Sequence, residues 1–120
     1  MKRDMDLVRS IVLAIEAAPN VYAPNQLEIP EHTEEEIGYH VHIMMEAGLV
    51  RAHDVTSKGD SSPQALPSSL TWAGHEFADA SRDDKRWSAA KELAIKKVGS
   101  VTIEVLTKLL SSLMTSALGL

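Results

Sequence analysis

The sequence predicts a mostly α fold with one small β-hairpin (α+β), a winged helix-turn-helix followed by C-terminal helices. Three observations predict it. Thr33 and Glu36 form a capping-box signature ahead of a helical repeat that ends at Gly48. Leu49-Val50-Arg51-Ala52-His53 then alternates as a strand does, and a loop rich in Ser, Pro and Gly leads to a second β run at Ser69 to Trp72. A new helix follows at once. Helix, strand, loop, strand and helix is the core of a winged helix.

In chain order, Asp4 reads as the N-cap of a first helix reaching about Ala18, where Pro19 and Asn20 stop it. Leu7, Ile11, Ala14, Ile15 and Ala18 share one face, and Val8, Val12 and Leu13 widen the apolar arc beyond one neighbouring layer. The proline-punctuated stretch Val21 to Pro30 is extended, and Gln26 to Ile29 is expected as a short first strand. The central helix buries Ile37, Val41 and Met44, with His40 and Ala47 beside them, and turns Tyr39, His42 and Glu46 outward. Asp54 to Pro67 reads as a flexible tip. Trp72 and Phe77 are expected to close the core, and the helix carrying Phe77 runs to about Ser81. Asp83 and Asp84 start a further helix with Trp87, Ala90, Leu93 and Ala94 on its apolar side. Gly99 breaks it, Ser100 is expected to cap the last helix, and Ile103, Leu106, Leu110, Leu113, Ala117 and Leu120 form a coiled-coil seam. Val105 and Leu109 add a second stripe. Residues 1–82 thus form the winged-helix domain, and residues 83–120 a helical extension packing on it or on a second subunit.

Three segments together, MKRDMDLVRSIVLAIE, IGYHVHIMMEAGLV and LTWAGHEFADASRDDKRW, give the chain a resemblance spanning nearly its whole length. It resembles a family of small uncharacterised proteins, often carried by phages and prophages and related to the YjcQ-like winged-helix proteins. Gly74 to Phe77 is the most specific part. The resemblance implies a winged-helix fold and a mobile-element origin, and transfers no catalytic residue.

Composition narrows the function. The chain has no cysteine, which excludes disulfides and thiolate metal sites and fits a reducing cytoplasm. No apolar run is long enough to cross a bilayer, and the N-terminus turns acidic after Lys2 and Arg3, unlike a secretory signal. The net charge of −5 is unevenly spread. From Asp4 to Asp79 there are thirteen acidic residues against three basic ones, whereas from Arg82 onward there are seven basic against four acidic. The winged-helix body is therefore acidic and the tail mildly basic.

No residue pattern amounts to an active site. His40 and His42 diverge by about 200° on a helix, so they do not share a metal, and His40 reads as a core-edge histidine bonded to the backbone. His75-Glu76 begins a zincin-like motif that no second histidine completes at Asp79. Glu34, Glu35 and Glu36 are consecutive and do not face one another, so they read as helix-dipole residues. No cofactor is expected.

DNA binding is the usual work of winged helices, but the helix that would enter the groove has no Lys or Arg and carries four glutamates. The expectation is therefore a non-enzymatic protein of phage or prophage type that binds another protein through Tyr39, His42, Glu46, Arg51 and Lys58. Homodimerisation is expected through Ile103, Leu106, Leu110, Leu113 and Ala117. The alternative is a DNA-binding transcription regulator contacting phosphate through Lys85, Arg86, Lys91, Lys96 and Lys97.

Overall fold

A computed structural model describes residues 1–24 and 26–119. Among them the order is α1 (Met5–Glu16), α2 (Glu34–Glu46), β1 (Val50–Asp54), β2 (Ala65–Leu70), α3 (Trp72–Ser81), α4 (Asp84–Lys97) and α5 (Ile103–Ala117). β1 and β2 form one antiparallel hairpin, giving the mostly helical α+β fold the sequence predicts. The chain divides into two compact units, Met1–Glu76 and Phe77 onward.

In the first unit α1 packs on α2 and β2, and α2 packs on both strands. Asp4 caps α1 by accepting from the amides of Asp6 (2.9 Å) and Leu7 (3.3 Å). Leu7, Val8, Ile11, Val12 and Ile15 are all buried, which accounts for the wide apolar arc. The Thr33–Glu36 capping box forms reciprocally, with the Glu36 amide donating to Thr33 Oγ1 (3.1 Å) and the Thr33 amide to Glu36 Oε1 (3.4 Å). α2 buries Ile37, His40, Val41 and Met44, while Ala47, expected beside them, is exposed at the C-cap. Gly48 adopts a φ of 76°, the left-handed conformation that ends a helix most readily with glycine.

The hairpin pairs Val50 with Leu70 and Arg51 with Ser69, then slips by one residue so that Ala52 faces Pro67. Ser68 is the residue bulged out. Pro67 has no amide to offer a ladder, and the bulge is where a strand tolerates that loss. Gln26 to Ile29 form no strand. The extended segment meets β2 instead through the amide of Ala23, which donates to Ser68 O at 2.7 Å.

Two further expectations are corrected. The loop between the strands is shorter than the expected tip, and it is tied down: the Val55 amide donates to Gln64 O (2.9 Å), and the Gln64 amide to Thr56 Oγ1 (2.9 Å). Trp72 closes no core. It stands 80% exposed in the first turn of α3, whereas Phe77 is buried as expected. Thr71 starts that helix by accepting from the Gly74 amide (3.1 Å). Gly74, Phe77, Ala78 and Ser81 then form the buried face at helical spacing. Trp72 lies two residues before Gly74, on nearly the opposite side.

In the second unit α4 and α5 pack together, burying Trp87, Ala90 and Ala94 from one and Leu106 and Leu110 from the other. Phe77 meets Trp87 edge-on at 5.9 Å. Asp83 caps α4, accepting from the Arg86 amide at 2.8 Å. Thr102, rather than Ser100, caps α5 by accepting from the Val105 amide at 3.2 Å. No helix of the described residues is long and apolar enough to cross a membrane.

Candidate functional site

Tyr39, His42 and Glu46 lie on one face of α2 at spacings of three and four residues, but only Glu46 is exposed; Tyr39 is half-buried and the His42 side chain is 16% exposed, less open than the sequence predicts. The turn into the loop adds Asp54, which sequence reasoning missed. His42 Nε2 lies 3.3 Å from Asp54 Oδ2, and its Nδ1 lies 3.9 Å from Glu46 Oε1, beyond hydrogen-bond reach. Asp54 is itself held by Thr56, whose hydroxyl donates at 2.6 Å and whose amide donates at 2.9 Å. Those donors, with a smaller contribution from His42, lower the Asp54 carboxyl below its ordinary value. The signal for it was the Asp-x-Thr turn at a strand end. Tyr39 sets its ring edge-on to His40 at 5.8 Å.

The two basic residues expected beside this face do different things. Arg51 turns toward β2, donating from Nη1 to Leu70 O at 2.9 Å and to Ser69 Oγ at 3.4 Å. Lys58 stands exposed on the loop.

The loop closes down on the first turn of α2. Glu35 accepts from the hydroxyls of Ser61 and Ser62, the latter at 3.1 Å, and Gln64 Nε2 donates to Glu35 O at 3.1 Å. Gln64 lies where a side chain at Gly38 would otherwise be. A glycine inside a helix costs about 0.5–1 kcal/mol against alanine, and here the bare backbone makes room for the glutamine. The three consecutive glutamates serve different partners. Glu34 accepts from Gln26, Glu35 from the loop, and Glu36 from Thr33 and His32 (3.0 Å). They form no paired-carboxylate site. The His32 bond and the Thr33 amide lower the Glu36 carboxyl.

His40 is committed to the backbone on both sides. Nδ1 donates to Glu36 O at 2.8 Å, and Nε2 accepts from the Asp4 amide at 2.9 Å. That pair of partners fixes a neutral tautomer and ties the start of α1 to the middle of α2. Among the described residues no group of three or more His, Asp or Glu is placed to hold a metal ion.

The cations of α4 sit at both ends of the helix and at its middle. Lys85 and Lys96 share one side and Arg86 and Lys97 an adjacent one, each pair separated by roughly 16 Å along the axis. Lys91 sits over the Trp87 ring at 5.9 Å, and Lys96 pairs with Glu92 at 3.1 Å. On α5, Leu106 and Leu110 are fully buried within the chain, so they are not open to a second subunit. Ile103 and Leu113 are half-buried and Ala117 is exposed, while Leu120 lies outside the described residues.

These features define a small, mostly helical α+β protein whose distinctive surface is a carboxylate-rich helix with a hairpin loop bonded across its first turn. The chain belongs to the family described as "Hypothetical protein (DUF2513)", whose model matches residues 2–100. It is 30% identical over 122 residues to an uncharacterized protein of Haemophilus influenzae (strain ATCC 51907 / DSM 11121 / KW20 / Rd), covering 98% of this chain and 99% of that protein. No solved structure matches the chain.

Proposed function

We propose that the chain is a non-enzymatic winged-helix protein, of the phage or prophage type its sequence resembles, that works in the cytoplasm by binding another protein. In this reading α2 occupies the place of the recognition helix and the 55–64 loop that of the wing, and the protein modulates host or phage machinery through its partner.

One observation carries the reading. The loop is bonded to the helix it would have to stand clear of for that helix to enter a groove, and the bonds run through Glu35. A recognition helix reads bases with its N-terminal turns. Here those turns carry Glu34, Glu35 and Glu36, and α2 itself holds no Lys or Arg. Phosphate neutralisation supplies most non-specific DNA affinity, and this surface opposes it.

The test is a titration of the native chain against random-sequence duplex DNA at low salt. The expected result is no saturable binding. Exchanging Glu34, Glu35 and Glu36 for glutamine preserves the capping pattern and should raise non-specific binding, because repulsion has been removed. Tight binding by the native chain, lost on changing Tyr39 or His42, would establish the regulator reading instead.

A further inference from the structure

Beside the bonded loop, the first unit carries a cleft. It lies between the extended segment at Gln26 and Leu27, α2, and the start of β2, with a volume of about 170 Å³. A second depression of about 340 Å³ continues it toward Pro30, the two sharing Gln26, Leu27, Glu34 and Ile37. The floor is apolar: Leu27, Ile37, Val41 and Ala65. One wall is formed by Val55 and Leu66, which remain 42% and 50% exposed although both are aliphatic. Exposed aliphatic side chains lining a concavity are unlike scattered surface leucines, because a single inserted group can desolvate several of them together.

Among the described residues, the fully charged side chains lining this cleft are carboxylates. Glu34 lines both depressions and Glu28 lines the second. Among the described residues, neither depression is lined by a Lys or Arg. His32, which also lines the second depression, is turned to Glu36 at 3.0 Å.

We infer that this cleft is the docking site for a segment of a partner protein that inserts aliphatic or aromatic side chains flanked by Lys or Arg. The inference rests on the protein-binding reading and deepens it by locating the contact and stating the partner's chemistry. The apolar floor selects the anchors, and the carboxylate rim selects the flanking cations and rejects acidic segments.

The experiment is selection of the intact chain against a displayed library of random peptides, followed by binding measurements on the enriched sequences. The expected peptides carry apolar residues interspersed with Lys or Arg and lack Asp and Glu. Their affinity should fall about tenfold on Leu66→Glu and also on Glu34→Lys, and should weaken with added salt. Leu66 and Glu34 are surface positions, and Val55→Glu provides a second variant should Leu66→Glu misfold. Enrichment without a basic bias, binding unchanged by these substitutions, or no enrichment at all would overturn the inference. So would self-association of the chain that disappears on Leu66→Glu, which would give the cleft to a second copy. Failure of the cleft leaves the broader reading standing if a protein still docks on Tyr39, His42 and Glu46, whereas tight DNA binding removes that reading itself.

Discussion

Gln64 lies over Gly38, with its Cδ 2.8 Å from where a β-carbon on that glycine would be. The hairpin loop and α2 therefore behave as one surface, and the contact is mediated by a side chain that can swing away. Gly38→Ala should displace Gln64 and release its bond to Glu35 O, while adding helix propensity of about 1 kcal/mol. The expected outcome is a melting temperature little changed, together with faster amide exchange at residues 55–64. Slower exchange in that loop would contradict the contact.

Gly74 presents the opposite case. A β-carbon there would collide with the backbone carbonyl oxygen of Leu49, which no rotamer change can move. The same corner is closed by Thr71, whose amide donates to Leu49 O (3.1 Å) and whose hydroxyl donates to Gly48 O. Gly74→Ala should destabilise by about 1–3 kcal/mol, the usual penalty for overpacking a close contact. Chemical denaturation measures it, and a neutral substitution would show that α3 moves freely against the hairpin.

Acid should weaken the fold through three carboxylates. Glu36 is lowered by His32 and the Thr33 amide, Asp54 by the Thr56 hydroxyl and amide, and Asp83 by the Arg86 amide. A depressed carboxylate stabilises the native state above its unfolded value, and that stabilisation is lost as pH falls through the folded value. The ordinary values are 4.5 for Glu36 and 3.8 for the two aspartates. The melting temperature should therefore hold down to about pH 4.5 and decline below it, with a shallower decline in Glu36→Gln.

The last helix separates folding from assembly. Leu106 is fully buried, so Leu106→Ala should destabilise the α4–α5 hairpin by about 2–5 kcal/mol. Leu113 is only half-buried, so Leu113→Glu should leave the fold intact. If the native chain dimerises through its remaining stripe of Ile103, Leu113 and Ala117, sedimentation of Leu113→Glu should reveal a monomer. A native chain that sediments as a monomer at high concentration would contradict assembly through this helix.

The element order was legible because its local signals agreed with one another. Asp4, Thr33 and Asp83 are strong caps, Gly48 and Gly99 end helices with φ values of 76° and 81°, and the buried positions of α1 and α2 follow helical spacing. A β-prone Leu-Thr-Trp hides the helix start that turns Trp72 outward: the period of Gly74, Phe77 and Ser81 defines the buried side, and Thr71 is its cap. Leu106 and Leu110 looked like an external seam because heptad spacing is identical for a helix packing on its own chain and on another. The bonds from the loop to Glu35 and the cleft at Leu66 depend on residues far apart in sequence, which no local pattern encodes.

The proposed contact of the α2 face and its bonded loop is with a protein and not DNA. Photo-crosslinking in living cells tests it most directly, with a photoreactive amino acid placed singly at His42, Glu46 and Leu66 and, as a control, at Ser111 on α5. The expected result is a discrete protein adduct from the first three positions, none from the control, and no nucleic acid adduct. Crosslinks to DNA from His42 or Glu46 would contradict it.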